Sequence, residues 1–159
     1  MQALFMVLFA SGIVAVDQLT KYLVLTQIPL YGDVDVFPGV VGLTYVKNYG
    51  AAFSSFQGMR WVFVIIFAVF LLAVIWEYRA KYMPFTTLER WCIAAICGGG
   101  LGNMIDRVRF GFVVDMIKTE FIDFPVFNVA DCFITCGAIL LVAHLILCNR
   151  NFWKEEKKK

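Results

Sequence analysis

The stretch RWVFVIIFAVFLLAVIWE, Arg60 to Glu77, decides the class of fold. Between Trp61 and Trp76 it holds no polar residue, Arg60 and Glu77 fence it, and the two tryptophans stand where interfacial anchors of a membrane helix stand. A spanning helix needs ~20 residues, so this one is expected to begin a few residues before Arg60. The whole chain agrees with that reading. Of its 159 residues 61% are apolar and only 16% charged, with a mean hydropathy of +0.77, which is more apolar surface than one water-soluble core can hide.

Three further apolar segments flank the first. One, Ala3 to Leu25, carries Asp17 and Lys21 in its second half. Another, Trp91 to Ile105, contains Gly98, Gly99, Gly100 and Gly102, which weaken helix propensity but let a neighbouring backbone approach closely. The last runs from Val129 to Cys148. The expected fold is a mainly α membrane protein of one domain, residues 1–159, with four transmembrane helices at about 3–25, 58–76, 89–107 and 129–148. Outer loops would be 26–57 and 108–128, with an inner connection at 77–88 and a tail at 149–159. In the first outer loop, Pro29, Gly32, Pro38, Gly39 and Gly42 punctuate runs such as VDVF and LTYV, which predicts a small extracytoplasmic β-sheet lying on the membrane surface.

Arg79, Lys81, Arg90, Arg150, Lys154, Lys157, Lys158 and Lys159 collect on the inner connection and the tail, against Lys47, Arg60, Arg107, Arg109 and Lys118 in the outer loops. This bias puts both termini in the cytoplasm and Asp17, Asp115 and Asp131 toward the outer face. The first segment lacks a basic leader and a small-residue cleavage site, so it is read as a retained helix. The basic residues are too scattered for a nucleic-acid partner.

Acids at membrane depth mark function, because an ionised carboxylate there loses hydration. The polar residues left near the apolar segments are Asp17, Asn48, Asn103, Asp106, Asp115, Asn128 and Asp131. No histidine-rich zinc motif, serine-nucleophile elbow or phosphate loop occurs. Cys92, Cys97, Cys132, Cys136 and Cys148 read as small apolar packing residues, and His144 as a satisfied interior group, although Cys132, Cys136 and His144 together offer a metal or haem alternative. Two close carboxylates share one proton, a state suited to amide hydrolysis by activated water without metal, cofactor or covalent intermediate. A small proton-coupled transporter subunit would also keep acids in the membrane, but with internal repeats and acids nearer mid-bilayer.

Spacing assigns more local roles. Asp17 and Lys21 are four apart and can pair on one helical face, as can Asn103 and Arg107. Asp106 lies beside Arg107 but on a different face, and is read as part of a local salt bridge. Asn128 fits either a helix N-cap or a site residue.

Five blocks in order, DQLTK at Asp17 to Lys21, NYGAAF at Asn48 to Phe53, GGGLGNMIDR at Gly98 to Arg107, GFVVDMI at Gly111 to Ile117 and FNVAD at Phe127 to Asp131, cover the length of the chain. In these the sequence resembles the signal peptidase II family of bacterial aspartic proteases. Cys132 after the last block and Phe124 before Pro125 depart from the family pattern. The resemblance implies an inner-membrane endopeptidase that removes the signal peptide from prolipoproteins, on the N-terminal side of a diacylglyceryl cysteine. It also implies inhibition by globomycin-type peptides and contact with membrane lipid. Matched by motif, Asp115 and Asp131 would be the catalytic pair, with Asp17, Lys21, Asn48, Gly50, Asn103, Arg107 and Asn128 orienting it or holding substrate. The NYGAAF loop, with Gly50, would be a gate.

Overall fold

The computed structural model describes residues 1–50 and 57–149. Four helices, α1 (Gln2–Gln27), α2 (Arg60–Ala80), α3 (Thr87–Phe110) and α4 (Val129–Leu147), combine with strands β1 (Asp33–Phe37), β2 (Val41–Asn48) and β3 (Val113–Thr119). Helices α1, α2 and α4 are long and apolar enough to cross a membrane. At 1.5 Å per residue α2 is ~31 Å long. It begins at Arg60 rather than before it and gains its length at the other end, where Lys81 closes it in a left-handed conformation.

Helix α3 differs from the other three because it carries Glu89, Asn103, Asp106 and Arg107, all buried. Polar residues survive there because α1, α2 and α4 each pack against α3, which makes it the centre of the bundle. In α1 the buried positions Met6, Ile13, Asp17, Lys21 and Val24 form one stripe at helical spacing, so two charged residues lie within the face that meets α3. No residue of α2 is buried, and its Ile65, Ile66, Val69 and Leu72 point outward, as lipid-facing side chains do.

The sheet is antiparallel in the order β1-β2-β3. This corrects the expectation of a sheet confined to the first loop, since its third strand comes from 113–119 of the second, 65 residues beyond β2. Long-range pairing of this kind has no local signature. Gly111, at φ 82°, ends α3 in the left-handed region and turns the chain straight into β3. Val24 and Ile28 of the α1 end cluster with Tyr45, Val114 and Met116, which seats the sheet on the bundle.

Candidate active site

Two departures from regular pairing bring the polar residues together. Leu43 faces Ile117, but Val46 faces Asp115, so β2 carries one extra residue between them. That bulge shifts the alternation of side chains by one and turns Asn48 onto the same face as Asp115. Asn48 Nδ2 then donates to Asp115 Oδ2 at 2.8 Å. Beyond β3 the chain folds back, and Phe127 exchanges backbone hydrogen bonds with Ile117 in an isolated bridge. The next residue, Asn128, is thereby delivered beside Asp115.

Asn128 joins the two acids. It caps α4 by accepting from the Asp131 N–H at 3.0 Å, while its own N–H donates to Asp131 Oδ2 at 3.1 Å. Its Nδ2 donates to Asp115 Oδ1 at 2.7 Å. One side chain thus serves as the cap of α4 and as a hydrogen-bond donor to Asp115. Asn103 completes the link, with Nδ2 donating to Asp131 Oδ1 at 2.8 Å and Oδ1 accepting from Asn128 Nδ2 at 3.1 Å.

Beneath this pair lies a charged layer. Lys21 Nζ is 2.9 Å from Asp17 and 3.0 Å from Asp106, all three being almost wholly buried, and it also donates to Asn103 Oδ1 at 2.9 Å. The ammonium fixes which end of the Asn103 amide faces Asp131: an oxygen must meet Lys21, so the NH2 group meets the carboxylate. Asp17 Oδ1 accepts from the Ala130 N–H at 3.0 Å, tying α1 to the first turn of α4.

Asp106 corrects the sequence reading. Among the described residues its ion-pair partner is Lys21 of α1, not Arg107, and it also accepts from Gln18 at 2.9 Å and from the Val114 N–H at 3.0 Å. It holds β3 one residue before Asp115. Asn103 and Asp106 are three apart and share a face, the one local hint that was available. Gln18, which bridges the neighbouring Asp17 to the Gly102 carbonyl and Asp106, had no such hint, since those last two partners are 84 and 88 residues away.

Arg107 donates to the Gly50 carbonyl at 2.9 Å, lies over the Phe63 ring at 4.8 Å, and places its charge near Asp131, Asp115 and Asp106. The Gly50 N–H donates in turn to Asn48 Oδ1 at 2.9 Å. Gly50 is thus held at both its backbone groups, whereas the remainder of the NYGAAF loop, Ala51 to Phe53, lies outside the described residues. No buried side-chain polar atom among the described residues lacks a partner. His144 stands apart from this site, its Nδ1 2.8 Å from Glu89 at the far end of α3.

The two acids differ in surroundings. Asp115 is 2% exposed and Asp131 half-buried. Burial, and then the charge of Asp131, push the Asp115 carboxyl up to about 7. At neutral pH Asp115 can therefore both hold and release a proton, beside a second carboxyl that is open to a reactant.

A profile for signal peptidase (SPase) II matches residues 9–147. Among curated proteins, the chain is similar to lipoprotein signal peptidases of Streptococcus pyogenes serotypes M5 (strain Manfredo) and M18 (strain MGAS8232). Each is 43% identical over 145 residues, which is 91% of this chain and 90% of the relative. A solved bacterial membrane enzyme superposes with a TM-score of 0.85 at 34% identity, covering 92% of this chain and 90% of the other. Another superposes at 0.81 and 34% identity, covering 91% and 94%. Shared sequence over almost its full length and a shared bundle-and-sheet architecture mean that this membrane peptidase chain belongs to the signal peptidase II family.

Proposed function

We propose that the protein is an intramembrane aspartic endopeptidase that removes signal peptides from diacylglyceryl-modified prolipoproteins, cutting on the N-terminal side of the lipidated cysteine. The observation that carries this reading is the convergence of Asp115 and Asp131, from a strand and a helix, on one residue, Asn128, whose Nδ2 donates to Asp115 Oδ1 and whose backbone N–H donates to Asp131 Oδ2. Membership of a peptidase family leaves the transporter alternative without support.

The chemistry needs one proton shared by two acids. With the proton on buried Asp115, the carboxylate left belongs to Asp131. Asp131 takes a proton from a water held between the two, and the water oxygen forms a bond to the scissile carbonyl carbon. Asp115 gives its proton to the carbonyl oxygen, yielding a neutral tetrahedral diol. Asp131 then passes its proton to the departing amine, the C–N bond breaks, and Asp115 recovers a proton from a diol hydroxyl as the new carboxyl forms. Asn48, Asn103 and Asn128 aim the carboxyl oxygens, and Asp17 and Lys21 brace those amides. Arg107 draws Gly50 over the pair and, with it, borders the path of the substrate backbone.

The topology follows from charge. Arg79, Lys81 and Arg90 sit at the α2–α3 connection, at the opposite end of the bundle from Asp115, so the positive-inside rule puts that connection and both termini in the cytoplasm. The four helices span the bacterial cytoplasmic membrane as one domain, and the pair opens toward the outer face. A lipid-bearing cysteine keeps the scissile bond at that depth without drawing acyl chains into water. Globomycin-type cyclic peptides would occupy the same site.

The test is to incubate the purified protein in detergent with a diacylated signal-peptide substrate and compare it with Asp115→Asn and Asp131→Asn. Both variants are expected to stay folded and to lose cleavage. Cleavage retained by either one removes that residue from the mechanism, and no cleavage by the wild type removes the substrate assignment.

A further inference from the structure

Along α3, starting from the end of the bundle away from the two aspartates, α1 and α2 both lean on α3 but make no substantial contact with each other. Between them opens a crevice of about 900 Å³. Its walls are apolar, formed by residues such as Met6, Ala10, Phe70, Ala73 and Ile93, and it runs from Arg90 on α3 inward to Ile105. At 1.5 Å per residue that is roughly 22 Å, longer than one leaflet's half of a ~30 Å hydrocarbon core. Arg79 and Arg90 border its mouth. Arg90 lies over the Tyr78 ring at 5.9 Å and its Nε donates to the Phe85 carbonyl. Among the described residues neither arginine forms an ion pair. Glu77 also borders the mouth, but its carboxylate is turned to the Met83 N–H at 2.9 Å.

We propose that this crevice holds an anionic glycerophospholipid of the surrounding bilayer, with acyl chain between α1 and α2 and phosphate at Arg79 and Arg90. The argument is charge complementarity at the end of an apolar slot. Basic pockets between membrane helices on the cytoplasmic side select acidic headgroups, and arginine pairs with phosphate through its planar fork. The other apolar occupant at hand, the hydrophobic helix of a signal peptide, fits worse because its leading end carries positive charge and would meet the same two arginines. A bound lipid would complete the wall that α2, which buries no residue of its own, leaves open. The site is separate from the aspartate pair and does not depend on the catalytic reading.

The experiment is native mass spectrometry of the full chain, reconstituted into vesicles of equal parts dioleoyl phosphatidylglycerol and dioleoyl phosphatidylcholine and then released in mild detergent. The wild type is expected to retain phosphatidylglycerol over phosphatidylcholine by at least about fivefold. The double variant Arg79→Gln, Arg90→Gln should lose that preference. Ala73→Phe, at an exposed position on the crevice wall, should lower retention of both lipids without loss of fold. Equal retention of the two lipids by the wild type, or an undiminished preference in the double variant, overturns the proposal. Displacement of the lipid by an apolar signal-peptide helix equally well in wild type and double variant overturns it too, in favour of substrate.

Discussion

The two ends of α3 and α4 carry the same local motif and put it to different uses. At the start of α3, Thr86 caps the helix and its third residue, Glu89, reaches back to the Thr86 N–H. At the start of α4, Asn128 and Asp131 make the same reciprocal box. Each box pins a carboxylate against a helix N-terminus, where the backbone dipole favours negative charge. Glu89 is fully buried and its remaining lone pairs meet His144 and Asn149, which locks the end of α4 to the start of α3. Asp131 instead stays half-open and is connected to a second acid, Asp115, through the hydrogen-bonded amides of Asn103 and Asn128. A capped carboxylate with neutralising neighbours is a joint, whereas one with a like-charged neighbour and access to a reactant is a candidate catalyst.

The contrast breaks most sharply by substitution. Asp131→Asn or Asp115→Asn should lower turnover by at least roughly a thousandfold, the upper range for losing general acid–base function, measured as initial rates on a diacylated peptide. Lys21→Met should come next. It frees the Asn103 amide to turn its oxygen toward Asp131 and strands Asp17 and Asp106. We expect stability to fall by about 3–5 kcal/mol and kcat to fall by roughly a hundredfold with KM less affected, read from thermal unfolding and steady-state kinetics.

Acidity sharpens the same difference. In the proposed mechanism Asp115 holds a proton to polarise the carbonyl, so kcat/KM should fall about tenfold per pH unit above about 7. Stability moves in the same direction. The Asp115 carboxyl is raised from its ordinary 3.8 to about 7 in the folded protein, so the folded state binds the extra proton between those limits. Its stabilising effect is full below about pH 4 and is lost as pH rises through about 7, by roughly 4 kcal/mol at most. Denaturation midpoints measured from pH 5 to pH 8 should therefore decline.

Smaller effects concern the joints. A Cβ on Gly99 would come within 2.5 Å of the Ala130 carbonyl, so Gly99→Ala should push the first turn of α4 away from α3. The expected loss is about 1–3 kcal/mol of stability, with a parallel drop in turnover because Asp131 moves with that turn. Glu89→Gln should cost a similar 1–3 kcal/mol yet leave turnover in detergent unchanged. A collapse of activity in Glu89→Gln with stability intact would erase the distinction between the two boxes.

Much of this was legible in one dimension because membranes impose length and polarity locally. Apolar runs fenced by charge mark the helices, Asp17 and Lys21 reveal their pairing by spacing alone, and Asn128 stands where a cap belongs. Five ordered blocks then carried the family resemblance and named the two acids. The bulge in β2, the origin of β3 in a distant loop, the bridge through Phe127 and the roles of Gln18 and Asp106 were not legible, because each depends on a partner supplied by another part of the chain.

Sequence by itself determined a helical membrane protein and the residue types of its chemistry, since burial of ~20 apolar residues and the hydration of a carboxylate are properties of short segments. Only the tertiary structure decided which carboxylates face one another and which end of each amide they meet. Those choices depend on register between strands and on one ammonium, Lys21, reaching across from α1, and neither is encoded within any single stretch.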